Sequence, residues 1–543
     1  MIPGMPRSKI SRNLAGSVLR HALALRWGLA SVLALGCLAA DPTNDADPRS
    51  SARSIAARAN SYTMRIAPHA QVVETDAFTV VLRTQDKDAA SCVSVHAYPS
   101  ATTLVPIATL RVCTESSYKK AAFSGLQPNT LYWYDAWVET TSGWQGTARS
   151  VVKTASATST NQAPIRLGVL GDVQDGVPLC GVPNVTQRQR YAKAVMAAHP
   201  DFLVQVGDLT SDGTNEENIR KFWDEFAAHL RHSEGLYQLD TPIAYAYGNH
   251  EFGTSPNGLN NGSPTCTVTD AFVAFPRDGV SGDPTYFAYT YGNLHVVHLN
   301  SEYCQSVGYY DTYPNPEGTS LPTPTTPCDP ALAVAQRNWL RSDLSEANLN
   351  PSVDWILVVH HFPYFSNGDV EKRGRNFCNP IWVHEHGMGG FVTDGRQYDI
   401  DSLGYLNDIY AYYNVDAVFS GHTHAYERLE EKRNQEDLPL EYIVVGGGGV
   451  ALTHMPTAQE NHLPPSVSEA ASASGDSYFG TLSVAGDAAL FVETRVDCVT
   501  GVTEGIDSVA LASRKTRIRA GTLASGGAVV DGAGRAAGQR ALR

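Results

Sequence analysis

The chain has no excess of positive charge. Lys and Arg total 41 against 55 Asp and Glu, for a formal net charge of −14 over 543 residues. That balance argues against a general nucleic-acid binder, whose affinity would rest on a basic surface. No two of the nine cysteines stand in a Cys-x-x-Cys pair, so a cysteine zinc site is not expected. The first 36 residues contain no acid, and the apolar run Trp27–Gly36 falls short of the roughly 20 residues a membrane span needs. What remains is ordinary globular composition: 43% apolar, 18% charged, 46 Gly and 30 Pro. The length allows two to four domains and a full core without staples.

Arg7, Lys9, Arg12, Arg20 and Arg26 precede the apolar run, and Cys37-Leu-Ala-Ala follows it. A basic segment, a short apolar segment and small residues in that order describe an export signal over residues 1–40. Ala34-Leu35-Gly36-Cys37 is similar to a lipobox. A lipid on Cys37, the one membrane contact expected, and plain cleavage near Ala40 both stand as readings. The protein is then extracellular, periplasmic or lipid-anchored at the cell surface. Without Cys37, eight cysteines remain, an even number suited to an oxidising compartment. Cys92 and Cys113 make a plausible local pair.

Residues 41–61 are polar and read as a spacer. From 62 to 155 short alternating runs are split by turn residues, as in Phe78–Arg83, Cys92–Tyr98 and Leu131–Val138, the pattern of a β-sandwich. The stretch Phe123–Tyr134 resembles a fibronectin type III strand corner, in which a Tyr ties back to the preceding turn. This region shows no catalytic constellation. From 163 to 510 apolar strands alternate with helical stretches, the signature of an α/β domain with helices covering its sheets. Helices are expected over Gln187–Ala198 and Glu216–Leu230, the second with Ile219, Phe222, Phe226 and Leu230 on one face. Residues 300–330 read as a long loop, and residues 511–543 as a disordered basic tail.

Five predicted strands run into metal-ligand types: Gly171-Asp172-Val-Gln174, Gly207-Asp208-Leu-Thr-Ser211, Gly248-Asn249-His250-Glu251, Val358-Val-His360-His361-Phe-Pro363 and Gly421-His422-Thr-His424-Ala-Tyr-Glu-Arg428. Each fragment alone is weak. The ordered series is specific, because strand C-terminal ends are where α/β sheets gather ligands.

The series resembles the calcineurin-like metallophosphoesterases, and most closely the purple acid phosphatases, over about Tyr62 to Thr500. The resemblance implies a two-sheet β-sandwich core flanked by helices, preceded by an all-β fibronectin-like domain. It implies two metal ions, Fe, Mn or Zn, divalent or trivalent. Asp172, Asp208 and His424 would hold the first; Asp208 would bridge to the second, completed by Asn249, His361 and His422. His361 rather than His360 fits the family's Val-x-x-His. It further implies in-line attack on phosphorus by a metal-bridging hydroxide. His250 would bind phosphate or protonate the leaving group, with Glu251 orienting it, and His384 and His386 would face the substrate. His295 and His298 are expected to be structural.

Two positions depart from the family. Ser211 stands where a Tyr ligand to ferric iron is usual, so no purple band is expected. Gln174 stands where the wider superfamily often has His; its amide oxygen would ligate weakly or hydrogen-bond a metal-bound water. The expected function is phosphomonoester hydrolysis on small phosphate esters. A phosphodiesterase or phospholipase-like enzyme, or a non-catalytic surface-binding protein with a structural metal site, are the alternatives.

Overall fold

The computed structural model describes residues 64–85, 91–97, 109–114, 118–146, 150–157, 164–174, 179–234, 237–252, 285–301, 330–366, 406–432, 439–449, 463 and 467–513. The export signal, the spacer, His384, His386 and the tail beyond Ser513 lie outside them. Among the described residues no helix is long and apolar enough to cross a membrane.

Two sheets pack face to face. In the first, Ile165–Leu170, Phe202–Gln205 and Ile243–Tyr245 run parallel, with Leu170, Gln205 and Tyr245 in register. On one side they continue through Ser477–Ala485 and Ala488–Val496 to Thr503–Ala512. In the other sheet Leu294–His298, Trp355–Val359, Ala417–Ser420 and Leu440–Val445 are parallel, again with Val359 opposite Phe419. Trp355–Val359 and Phe202–Gln205 are buried along their whole length. A strand covered on both faces must be apolar throughout, which is why these read as continuous apolar runs. Leu167, Val169, Val204, Trp355, Leu357, Phe419 and Ile443 fill the space between the sheets.

Helices close both outer faces. Asn184–Ala197 and Glu216–Glu225 cover the first sheet, with Tyr191, Ile219, Phe222 and Phe226 packing on Leu170, Leu203 and Tyr245. The second helix starts where the Asn215 side chain accepts the Glu217 N–H at 2.9 Å. It ends at Glu225, before the predicted Leu230, and a 3₁₀ turn over Ala227–His229 carries the apolar face onward. Pro330–Leu349 and Leu406–Tyr412 cover the other sheet through Leu340, Leu344, Ile409 and Tyr410.

The described residues between 64 and 153 form only strands and turns. Val80, Leu82, Val93, Val95, Phe123 and Tyr134 are buried between their two sheets. The Tyr132 hydroxyl accepts the Gln127 N–H at 2.7 Å, the tie-back expected of a strand corner. Cys92 is disulfide-bonded, and Cys113 lies opposite it in register. These sheets continue into the region beyond residue 153. Met64–Val73 pairs in parallel with Ile243–Tyr245, and Ser150–Lys153 with Tyr237–Asp240. One core cluster runs through both regions.

Candidate metal centre

Each loop that carries a predicted ligand leaves the C-terminal end of a parallel strand, so five loops meet at one rim of the sandwich. Backbone hydrogen bonds lock them side by side: Asp172 N–H to the Gly207 carbonyl at 3.2 Å and Gly421 N–H to the His361 carbonyl at 2.8 Å. Asp172, Asp208 and His422 all hold left-handed φ, at 52°, 56° and 67°. Non-glycine residues adopt that region at a cost, and such strain concentrates at functional sites. Gly248 permits a close approach; a Cβ there would collide with the Asp208 carboxylate.

The structure brings Asp172, Asp208, Asn249, His361, His422 and His424 together. Two groups of ligand atoms form, each within 4.8 Å: Asp208 with His361 and His422, and Asp172 with Asp208 and His424. Asp208 belongs to both. His361 Nδ1 lies 3.0 Å from the Val206 carbonyl, which only accepts, so the proton sits on Nδ1 and the Nε2 lone pair faces inward. That lone pair meets Asp208 Oδ2 at 3.1 Å, Asn249 Oδ1 at 3.2 Å and His422 Nδ1 at 3.3 Å. Asn249 Oδ1 is also 3.1 Å from His422 Nδ1. On the other side His424 Nε2 stands 3.4 Å from Asp172 Oδ1. A buried set this rich in acceptors fits a cation in each group.

The electrostatics agree. Burial alone would raise the Asp208 carboxyl, but positive charge on the imidazoles of His361, His250 and His422 outweighs it and holds Asp208 far below the usual carboxylate range; a bound cation would act in the same direction. Burial pushes Asp172 up despite His424 and His361 beside it, and the charge of Asp208 adds to the rise. Cations between the two carboxylates would keep both ionised.

The residues around this set divide by what they touch. His250 Nδ1 donates to the Ser211 carbonyl at 2.9 Å, which turns Nε2 toward Asp208 Oδ2 at 3.8 Å. The backbone, not Glu251, orients this ring. Glu251 is buried and accepts the N–H groups of Gly248, Asp208 and Leu209 at 2.6 to 2.8 Å, fixing the Asp208 turn instead. Burial first, then Asp208, pushes its carboxyl up to about 8. His360 points into the core against Tyr410, and burial lowers it to about 4. His295 is paired with Asp343 at 2.9 Å, and His298 stacks on Phe287.

One feature escaped sequence reasoning. Gly446–Gly449 follow the strand Leu440–Val445 and form the wall under Asp172. A Cβ at Gly446 would meet the Thr423 carbonyl and come within 3.3 Å of Asp172 Oδ2. Four consecutive glycines directly after a buried strand were the available signal.

Comparison with known proteins points the same way. The calcineurin-like phosphoesterase family matches residues 165–426. An uncharacterised protein of Mycobacterium tuberculosis is 25% identical over 372 residues, 62% of this chain and 59% of the relative. Purple acid phosphatase 1 of Ipomoea batatas is 25% identical over 260 residues, covering 45% and 43% of the two chains. The chain thus spans about three fifths or less of the length of these relatives. Among solved structures, purple acid phosphatase PPD1 from yellow lupin (Lupinus luteus) seeds matches with a TM-score of 0.55 at 15% identity, over 83% of this chain and 74% of its own. PhoD matches with a TM-score of 0.53 at 12% identity, over 84% and 92%. At these identities the structural likeness shows the fold alone. Residues 165–426 thus match the calcineurin-like phosphoesterase family, and the chain is similar to purple acid phosphatases in sequence and in fold.

Proposed function

We propose that the chain is an exported phosphatase that hydrolyses small phosphomonoesters at a dinuclear metal centre of Fe, Mn or Zn. The observation that carries this is the sharing of Asp208 between two ligand groups. Two bound cations would supply Lewis acidity toward the phosphoryl oxygens and lower the pKa of a water to serve as nucleophile. The chain's own residues do the rest. Asp172, Asn249, His361, His422 and His424 fix the ligand positions before substrate arrives, so little reorganisation accompanies reaction. The Glu251 carboxylate clamps the Asp208 loop. His250 stands at the more open side, its side chain about a quarter exposed, with Nε2 aimed at the site and Nδ1 anchored. That is the placement of a group that binds phosphate or delivers a proton to the leaving oxygen.

Export rests on the pattern of residues 1–40. The disulfide between Cys180 and Cys498 suits the same reading, since such bonds persist in oxidising compartments.

The test compares hydrolysis of an aryl phosphomonoester and the matching diester by the purified chain loaded separately with Fe, Mn and Zn. The expected result is monoester turnover that falls roughly a hundred- to a thousandfold in Asp208→Asn, the scale of losing one electrostatic stabiliser. Preference for the diester redirects the reading to a phosphodiesterase. Metal binding without turnover on either ester overturns it in favour of a binding protein with a structural metal site.

A further inference from the structure

The two halves of the rim are unequally supplied. The His361 and His422 group also has the Asn249 carboxamide. The Asp172, Asp208 and His424 group has no such neutral oxygen among its members, and Ser211 is engaged by neighbouring residues. The Ser211 carbonyl is engaged by His250, and its hydroxyl takes the Asn218 amide at 3.4 Å.

Gln174 is the residue that reaches this gap. It is 3% exposed, two residues beyond Asp172, and its amide nitrogen lies 3.4 Å from Asp208 Oδ2. Its Oε1 is buried with no hydrogen-bond partner. A carbonyl oxygen out of water without a donor is costly, and a buried carboxamide standing against the Asp208 carboxylate suits a cation between them. The two ends of a carboxamide are close to interchangeable in shape. An amide that donates to Asp208 in one orientation presents its oxygen there in the other.

We infer that Gln174 is a ligand of the first metal through Oε1, and that it tunes this half of the centre toward hard divalent cations such as Mn(II). The inference rests on the dinuclear reading above. Two carboxylates, one imidazole and one neutral carboxamide oxygen make an oxygen-rich set with no phenolate and no thiolate. Carboxylate and carbonyl oxygens suit Mn, Mg and Ca, whereas imidazole suits Zn, Cu, Fe and Ni.

The experiment measures metal, not turnover. Chelator-stripped protein is titrated with Mn(II) and with Zn(II) by calorimetry, and bound metal per chain is counted after dialysis. The wild type is expected to bind two Mn(II), and Asp208→Asn to lose the pair. Gln174→Met keeps the side-chain volume and removes the oxygen. It is expected to weaken one of the two Mn(II) sites roughly ten- to a hundredfold, leaving the other unchanged. Gln174→Glu restores an oxygen and is expected to bind both ions at least as tightly as wild type. Gln174→His is expected to move the preference toward Zn(II) by roughly tenfold. Thermal melts of the stripped variants report folding separately. If Gln174→Met does not fold, the Glu and His variants decide, since unchanged Mn-to-Zn preference in both overturns the inference. Two unaltered Mn(II) sites in folded Gln174→Met also overturn it. A wild type that binds fewer than two ions instead removes the dinuclear reading, and the inference with it.

Discussion

Buried charge is handled in opposite ways at two places in this molecule. At the joint between the all-β region and the sandwich, Asp240 is buried against a cation and two donors of the chain itself. Arg231 Nε lies 2.9 Å away, the Ala70 N–H donates at 3.3 Å, and the Tyr134 hydroxyl donates as well. Arg231 is itself tied to the Pro68 carbonyl at 2.8 Å and lies over the Trp223 ring. At the rim, Asp172 and Asp208 face imidazole lone pairs and a carboxamide oxygen, on backbone held in a strained conformation. The joint draws its countercharge from within the chain; the rim gathers acceptors that suit a charge from outside it. A polar cluster that cannot satisfy itself is the physical signature of a site, whereas a satisfied one is a fastening.

The contrast breaks hardest if the joint is damaged. Arg231→Met would leave Asp240 buried without its cation. We expect a loss of about 3 kcal/mol in chemical denaturation, the low end for an orphaned buried charge because Tyr134 and the Ala70 amide remain. Metal affinity per folded molecule should not change. A matching loss of metal binding would show that the joint and the rim are not separate.

Metal removal probes the other side. Ions that bind only the folded state stabilise it by about 2.7 kcal/mol at a hundred times their dissociation constant. Chelation should therefore lower the thermal midpoint of wild type and leave Asp208→Asn where it was. Equal shifts in both proteins would mean that the cation binds outside the rim.

Much of this was legible in sequence because it lies where strands end. Asp172, Asp208, Asn249, His361, His422 and His424 each follow an apolar run, and a run buried on both faces is hard to mistake. The parts that were not legible depend on contacts between distant segments. Cys180 and Cys498 are 318 residues apart, so no spacing rule could pair them. The helix Pro330–Leu349 follows the Pro-rich stretch read as loop, and its apolar stripe is diluted by Gln336, Arg337, Asn338 and Arg341. The continuity of sheets across the joint comes from a short parallel pairing, Gln71 opposite Ile243, that neither strand announces by itself. Glu251 looked like a partner for His250 because the two are adjacent. In a 3₁₀ turn neighbours point different ways, and Glu251 turned inward to the backbone.

A third buried acid sharpens the comparison, because it is neither fastened nor part of the rim. Glu493 lies in the strand Ala488–Val496, opposite Gly480 on one side and Asp507 on the other. It is fully buried, and both carboxylate oxygens lack hydrogen-bond partners among the described residues. Gly480 leaves the room it occupies; a Cβ there would come within 3.2 Å of Oε2. Burial, then the charge of Asp507, raises its pKa well above the usual carboxylate value. Asp507 is meanwhile ionised and held by Arg428 at 2.7 Å and Tyr426 at 2.6 Å. The folded state therefore keeps a proton that the unfolded state releases above about pH 4.5. Stability that is complete below that pH should decline as pH rises, by up to about 1.4 kcal/mol per unit. Glu493→Gln removes the ionisation and keeps the shape. We expect it to match wild type in urea melts at pH 4 and to exceed it at pH 7.5 and above, with metal content the same. A variant that is less stable at both pH values would mean that the carboxylate is paired after all, and that Glu493 belongs with the fastenings.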